Sequence, residues 1–134
     1  MSVVWAATSP ESGLFRPAER CSGWGDLSDH FDELRSLGQG YVEVRSPRGD
    51  FPMLSLAFRG DQAVVYLMSS PEQMFLLAGD GTVPSSAAEV EVPIMDDLAV
   101  FTGSFVLDTD RAWNQVHTFI RTRDVGPPGA WHEL

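Results

Sequence analysis

The chain has 134 residues, 43% hydrophobic and 21% charged, the size and balance of one globular domain that buries a core without cross-links. Nineteen acidic residues against nine basic ones leave a net charge of −10, which repels nucleic-acid phosphates and anionic membranes and attracts basic partners. The single cysteine, Cys21, excludes an internal disulfide and any multi-cysteine zinc or iron–sulfur cluster.

The opening segment SVVWAA is a short apolar run suited to a strand. It carries neither the basic start nor the long apolar stretch of a secretory leader, and no apolar run of membrane-spanning length follows, so a cytoplasmic protein is expected. The next stretch, TSPESGLFRPAERCSG, is punctuated by Pro10, Gly13 and Pro17 and reads as a loop. From Asp26 to Leu37 the spacing of Leu27, Phe31 and Leu34 is helical, with Asp26 as cap and Gly38 as the left-handed stop.

Four strands are then predicted in quick succession. YVEVR (41–45) alternates apolar and charged residues, and FPMLSLAF (51–58), AVVYLM (63–68) and QMFLLA (73–78) follow across short turns, as in an antiparallel meander. VPSSAA (83–88) reads as a loop. EVEVPI (89–94) alternates again, sending Val90, Val92 and Ile94 to one face and Glu89 and Glu91 to the other, while Pro93 argues for an edge position. AVFTGSFVL (99–107) is one strand bent at Gly103 or two short ones. A second helix covers 108–123, with Asp108 or Thr109 as cap and Ala112, Trp113, Val116, Phe119 and Ile120 as its apolar stripe. Pro127 and Pro128 prevent its continuation.

No catalytic constellation assembles from these elements. His30, His117 and His132 lie on separate elements without metal-ligand spacing, so no metal site is indicated. SGWG and GDGT lack the lysine and the strand–loop–helix setting of a phosphate loop, and no G-x-S-x-G elbow occurs. Cys21 beside Arg20 reads as an incidental thiol, and Asp96–Asp97 as exposed loop charge with no partner acid, base or ligand. The stronger signal is distribution: between Arg59 and Arg111 there is no basic residue, while Glu89, Glu91, Asp96 and Asp97 concentrate on one strand and its downstream turn. A solvated face is the plain explanation of any one such strand; together the four carboxylates form an anionic edge on which a basic protein can dock. Trp5 and Trp24 stand near element starts, Trp113 lies in an apolar stripe, and Trp131, almost at the C-terminus, is held only if its segment pairs with a sheet or packs on the second helix.

The C-terminal third, LDTDRAWNQVHTFIRT followed by a proline-containing turn and AWHEL, resembles the first-numbered immunity family of bacterial polymorphic toxin systems. The positions that carry the resemblance are Ala112 near the start of the last helix, Phe119 near its end, Thr122, and the terminal pair Trp131 and Glu133. Arg123 stands where the family pattern has glycine, and its proline is displaced into Pro127–Pro128. The resemblance implies a non-catalytic inhibitor without cofactor that binds and neutralises a cognate toxin, in many systems a deaminase or nuclease acting on nucleic acid.

The expectation is one α+β domain over residues 1–134, a mostly antiparallel sheet of about five to seven strands flanked by two principal helices. It acts as a monomer or weak homodimer that binds a basic toxin, but not nucleic acid or membrane, through Glu89, Glu91, Asp96 and Asp97. Two alternatives are a small-molecule-binding or enzymatic domain with a cleft on the sheet face, and a scaffold that self-associates through the edge strand 89–94.

Overall fold

The computed structural model describes residues 2–79, 88–122 and 131–133. It has an α+β fold: β1 (Ser2–Thr8), β2 (Phe15–Gly23), α1 (Trp24–Leu37), β3 (Gln39–Arg45), β4 (Met53–Arg59), β5 (Gln62–Ser70), β6 (Gln73–Leu77), β7 (Glu89–Ile94), β8 (Asp97–Thr102), a 3-10 turn at Gly103–Phe105, β9 (Leu107–Asp108), α2 (Thr109–Thr122) and β10 (Trp131–Glu133). The described strands exceed the five to seven expected, because β2 and the two short pieces β9 and β10 pair through their backbones. The main antiparallel sheet runs β10-β6-β5-β4-β3-β1-β2, with β9 added against β5, while β7 and β8 form a separate two-stranded ribbon.

The central strands read as near-continuous apolar runs because both their faces are covered. On one face, Val44, Leu54 and Leu67 share a cross-strand row, as do Val42, Leu56 and Val65. These rows pack with Leu27, Phe31 and Leu34 of α1 and Ala112, Val116 and Phe119 of α2 into the larger core. On the other face, Tyr41, Ala57 and Val64 meet Val90 and Val92 of the ribbon. The ribbon is therefore a third layer, with β7 lying over β3, β4 and β5.

The predicted α1 begins two residues early, at Trp24, and is preceded by Gly23 without a side-chain cap; Asp26 lies in its first turn instead. Gly38 closes it in the left-handed conformation (φ 93°), its N–H donating to the carbonyls of Leu34 and Arg35. At α2, Asp108 does cap: its Oδ2 accepts from the backbone N–H groups of Asp110 and Arg111 at 3.2 and 3.4 Å. An aromatic seam joins the helices, with the Phe31 and Trp113 rings stacked at 3.8 Å and Trp24 stacked on both Trp113 and His117. Arg35 braces one end: it donates to the Gly60 carbonyl at 2.8 Å and pairs with Asp110 at 3.2 Å.

The stretch expected as a loop contains the edge strand β2. Its residues are largely solvent-facing, so no apolar period marks it, and Pro17 is tolerated because an edge strand has one unpaired side. At the opposite edge β10 pairs antiparallel with β6, aligning Trp131 with Leu77 and packing its ring against the main core. Arg123, Pro127, Pro128 and most of the loop expected at 83–88 lie outside the described residues.

A candidate protein-binding face on the ribbon

β7 and β8 alternate as their sequences require. Val90 faces Phe101 and Val92 faces Ala99 across the ribbon, and this side points into the sheet. The other side carries Glu89 opposite Thr102, Glu91 opposite Val100, and Pro93 opposite Leu98. Glu89, Glu91, Asp96 and Asp97 are all exposed. β7 pairs only with β8 among the described strands, which gives Pro93 the edge setting expected of it.

Sequence reasoning missed the apolar partner of these carboxylates. Leu98 and Val100 are 56% and 54% exposed, and Met95 at the ribbon tip and Leu14 in the β1–β2 loop are 47% and 58% exposed. Single exposed hydrophobics are ordinary; several gathered at one tip and flanked by acids resemble a contact surface. Leu14, Met95 and Leu98 line one hollow of about 320 Å³ together with Asp96, Asp97 and, as its basic group, Arg59. A sequence signal did exist: Leu98 and Val100 sit at alternate positions of a strand that begins at the second of two aspartates.

The tip itself is held in one geometry. Met95 adopts a left-handed backbone (φ 56°), a conformation that favours glycine. Asp96 fixes the tip to the body, its Oδ1 accepting from the Phe15 N–H at 2.7 Å. The structure thus divides the predicted acids. Glu89 and Glu91 project from the outer face of the ribbon, Asp97 is exposed at its tip opposite Ile94, and Asp96 has one oxygen engaged in joining ribbon and sheet.

A second polar feature lies on the sheet face beside the ribbon. Glu43 of β3, Ser55 of β4 and Tyr66 of β5 are aligned across the strands, and Tyr41 is two residues before Glu43 on the same face. The Tyr41 hydroxyl donates to Glu43 Oε2 at 2.6 Å, so the 2.7 Å contact between the tyrosine hydroxyls has Tyr66 as donor. Ser55 Oγ is 3.5 Å from Tyr41 Oη. Burial pushes the Glu43 carboxyl above the usual carboxylate range, a shift that the Tyr41 hydrogen bond opposes and the charge of Glu19 reinforces. Burial likewise raises both tyrosines. No buried side-chain polar atom among the described residues lacks a partner.

The family-pattern residues occupy structural positions. Ala112 and Phe119 are buried under α2, the Thr122 hydroxyl donates to the Thr118 carbonyl at 2.7 Å, Trp131 packs on the main core, and Glu133 is exposed on β10. His30 bonds the Thr8 carbonyl through Nε2, and Cys21 is exposed on β2. Among the described residues no three His, Cys, Asp or Glu side chains converge as a metal site, and no helix is long and apolar enough to cross a membrane. No model of a known protein family matches the chain, and no curated protein matches it.

Proposed function

We propose that this protein is a cytoplasmic immunity protein that captures a basic toxin enzyme on the outer face of the β7–β8 ribbon. The observation that carries the reading is the exposed apolar group Leu14, Met95, Leu98 and Val100 flanked by Glu89, Glu91 and Asp97 in a chain of charge −10. Interfaces have this anatomy, with an apolar centre excluding water and charge at its margin setting orientation and on-rate. A toxin acting on nucleic acid has a basic substrate cleft, to which such a face is complementary. The likeness of 105–134 to the first-numbered immunity family supports the same reading.

The test is co-purification with the product of the adjacent gene. Binding should be lost in Leu98→Asp, which places a charge at the apolar centre, and should associate about tenfold more slowly in the Glu89→Arg/Glu91→Arg double variant. Failure of the neighbouring product to bind, or unchanged kinetics in both variants, would reject the ribbon as the contact.

A second reading, a ligand-binding or catalytic sheet face, is favoured by the Tyr41–Glu43–Ser55–Tyr66 cluster, where a half-buried carboxyl and two buried tyrosines with raised pKa values meet. The internal pairing of these groups supports the simpler role of sealing the sheet beside the ribbon. Toxin neutralisation that survives Glu43→Gln and fails in Leu98→Asp would separate the two.

A further inference from the structure

A second hollow shares no residue with the acidic ribbon and has the opposite charge. It measures about 500 Å³ and lies between the end of β3 with its following turn and the C-terminal end of α2, with Arg45, Arg48 and Arg121 in its wall and Phe119, Ile120 and Pro47 supplying apolar surface. That volume is within the usual range for small-molecule sites.

The three arginines have different duties. Arg45 is committed: its guanidinium grips Glu19 in a bidentate pair at 2.7 and 3.0 Å and donates to the carbonyls of Ser46 and Gly49. It shapes the turn that carries Arg48. Arg48 and Arg121 are exposed, and neither guanidinium has an ion pair among the described residues. Two full positive charges outweigh the partial negative charge of the α2 terminus beside them. The chain's overall negative charge does not cancel this locally, because charges more than about 8 Å away are largely screened at physiological salt.

A smaller hollow of about 130 Å³ adjoins the first, sharing Ser46, Arg48 and Phe119 and adding Phe51 and Pro52. Phe51 is 36% exposed. One continuous groove thus has Arg121 at one end, Arg48 at the junction of the two hollows and an accessible aromatic ring at the other end. We propose that this groove binds a small phosphate-bearing molecule with a flat apolar body, Arg48 and Arg121 taking the phosphate and Phe51 the ring. Phosphate suits two separate guanidinium forks, since its oxygens accept from both while its charge balances theirs. The site shares no residue with the ribbon face, so it stands or falls independently of toxin binding.

The experiment is calorimetric titration of the full chain with adenosine monophosphate, adenosine and inorganic phosphate. Adenosine monophosphate should bind saturably and at least tenfold more tightly than either of the others. Arg48→Gln/Arg121→Gln should weaken it at least tenfold with the circular dichroism spectrum unchanged, and Phe51→Ala should reduce it to the level of inorganic phosphate. No saturable binding at millimolar concentration, equal affinity for adenosine or for inorganic phosphate, or binding unaltered in the double arginine variant would overturn the proposal.

Discussion

Glu43 shows most directly what the fold does to a single group. Its carboxyl is pushed above the ordinary value of 4.5 mainly by burial, so the folded chain holds that proton more tightly than the unfolded chain does. Its stabilising contribution is therefore full below the unfolded value and is lost as pH rises through the folded one. Glu43→Gln keeps an acceptor for the Tyr41 hydroxyl without the charge. It should be more stable than the parent at pH 7 and lose that advantage at pH 4, read from urea midpoints at the two values. A midpoint unchanged at pH 7 would mean that solvent reaches the carboxylate freely. Gly40 illustrates steric necessity at the same scale. A Cβ there would be 2.9 Å from Leu34 Cδ1 and 3.2 Å from Phe58 Cε1, where α1 crosses β3. Gly40→Ala should cost about 1–3 kcal/mol by over-packing, measurable by chemical denaturation.

Among the elements, the two helices depend on each other through side chains more than through their own backbones. Trp113 stacks on Phe31 with an interplanar angle of 1° and on Trp24 with one of 28°, while Phe31 also meets Phe58 of the sheet. Trp113→Ala removes the shared ring and should destabilise the protein by about 3 kcal/mol, with loss of near-ultraviolet dichroism before loss of helix signal on heating. Retention of the parent melting temperature would show that the seam contributes little. The ribbon is an element of another kind. Its inner valines anchor it to the sheet, and its outer face is left for solvent or a partner. That division predicts that replacing the exposed Glu89 and Glu91 by arginine has little effect on folding. Surface substitutions away from special features change stability by about 0.5 kcal/mol or less, so a binding defect in the double variant can be assigned to the interface.

At the level of the whole molecule, the charge of −10 is distributed unevenly, with carboxylates on the ribbon and, at the hollow between the β3–β4 turn and the end of α2, the exposed guanidinium groups of Arg48 and Arg121, which have no ion pair among the described residues. Association with a basic toxin should therefore slow by about tenfold or more when ionic strength rises from low to high, with dissociation changing far less. Stopped-flow association over a salt series checks this, and salt-independent association would remove electrostatic steering from the proposal. Light scattering over a concentration series tests the remaining alternative, self-association through the edge of β7, which predicts a mass that grows with concentration.

Much of this architecture was legible in the chain because its determinants are local. The 3.6-residue spacing of Leu27, Phe31 and Leu34, the glycine that stops α1, and the alternation of valine and glutamate in β7 each act within a few residues. The α+β class, the helices and the acidic face follow from such signals. β2 was not legible, because its side chains face solvent and only its backbone pairing with β1 makes it a strand. The ribbon's place as a third layer, the bonding of Tyr41 and Glu43 with Tyr66, and the convergence of Arg48 with Arg121 join residues far apart along the chain. Local pattern sets which side of an element is apolar or charged; only packing sets which surfaces meet, because that depends on the closure of long segments and the fit of their side chains.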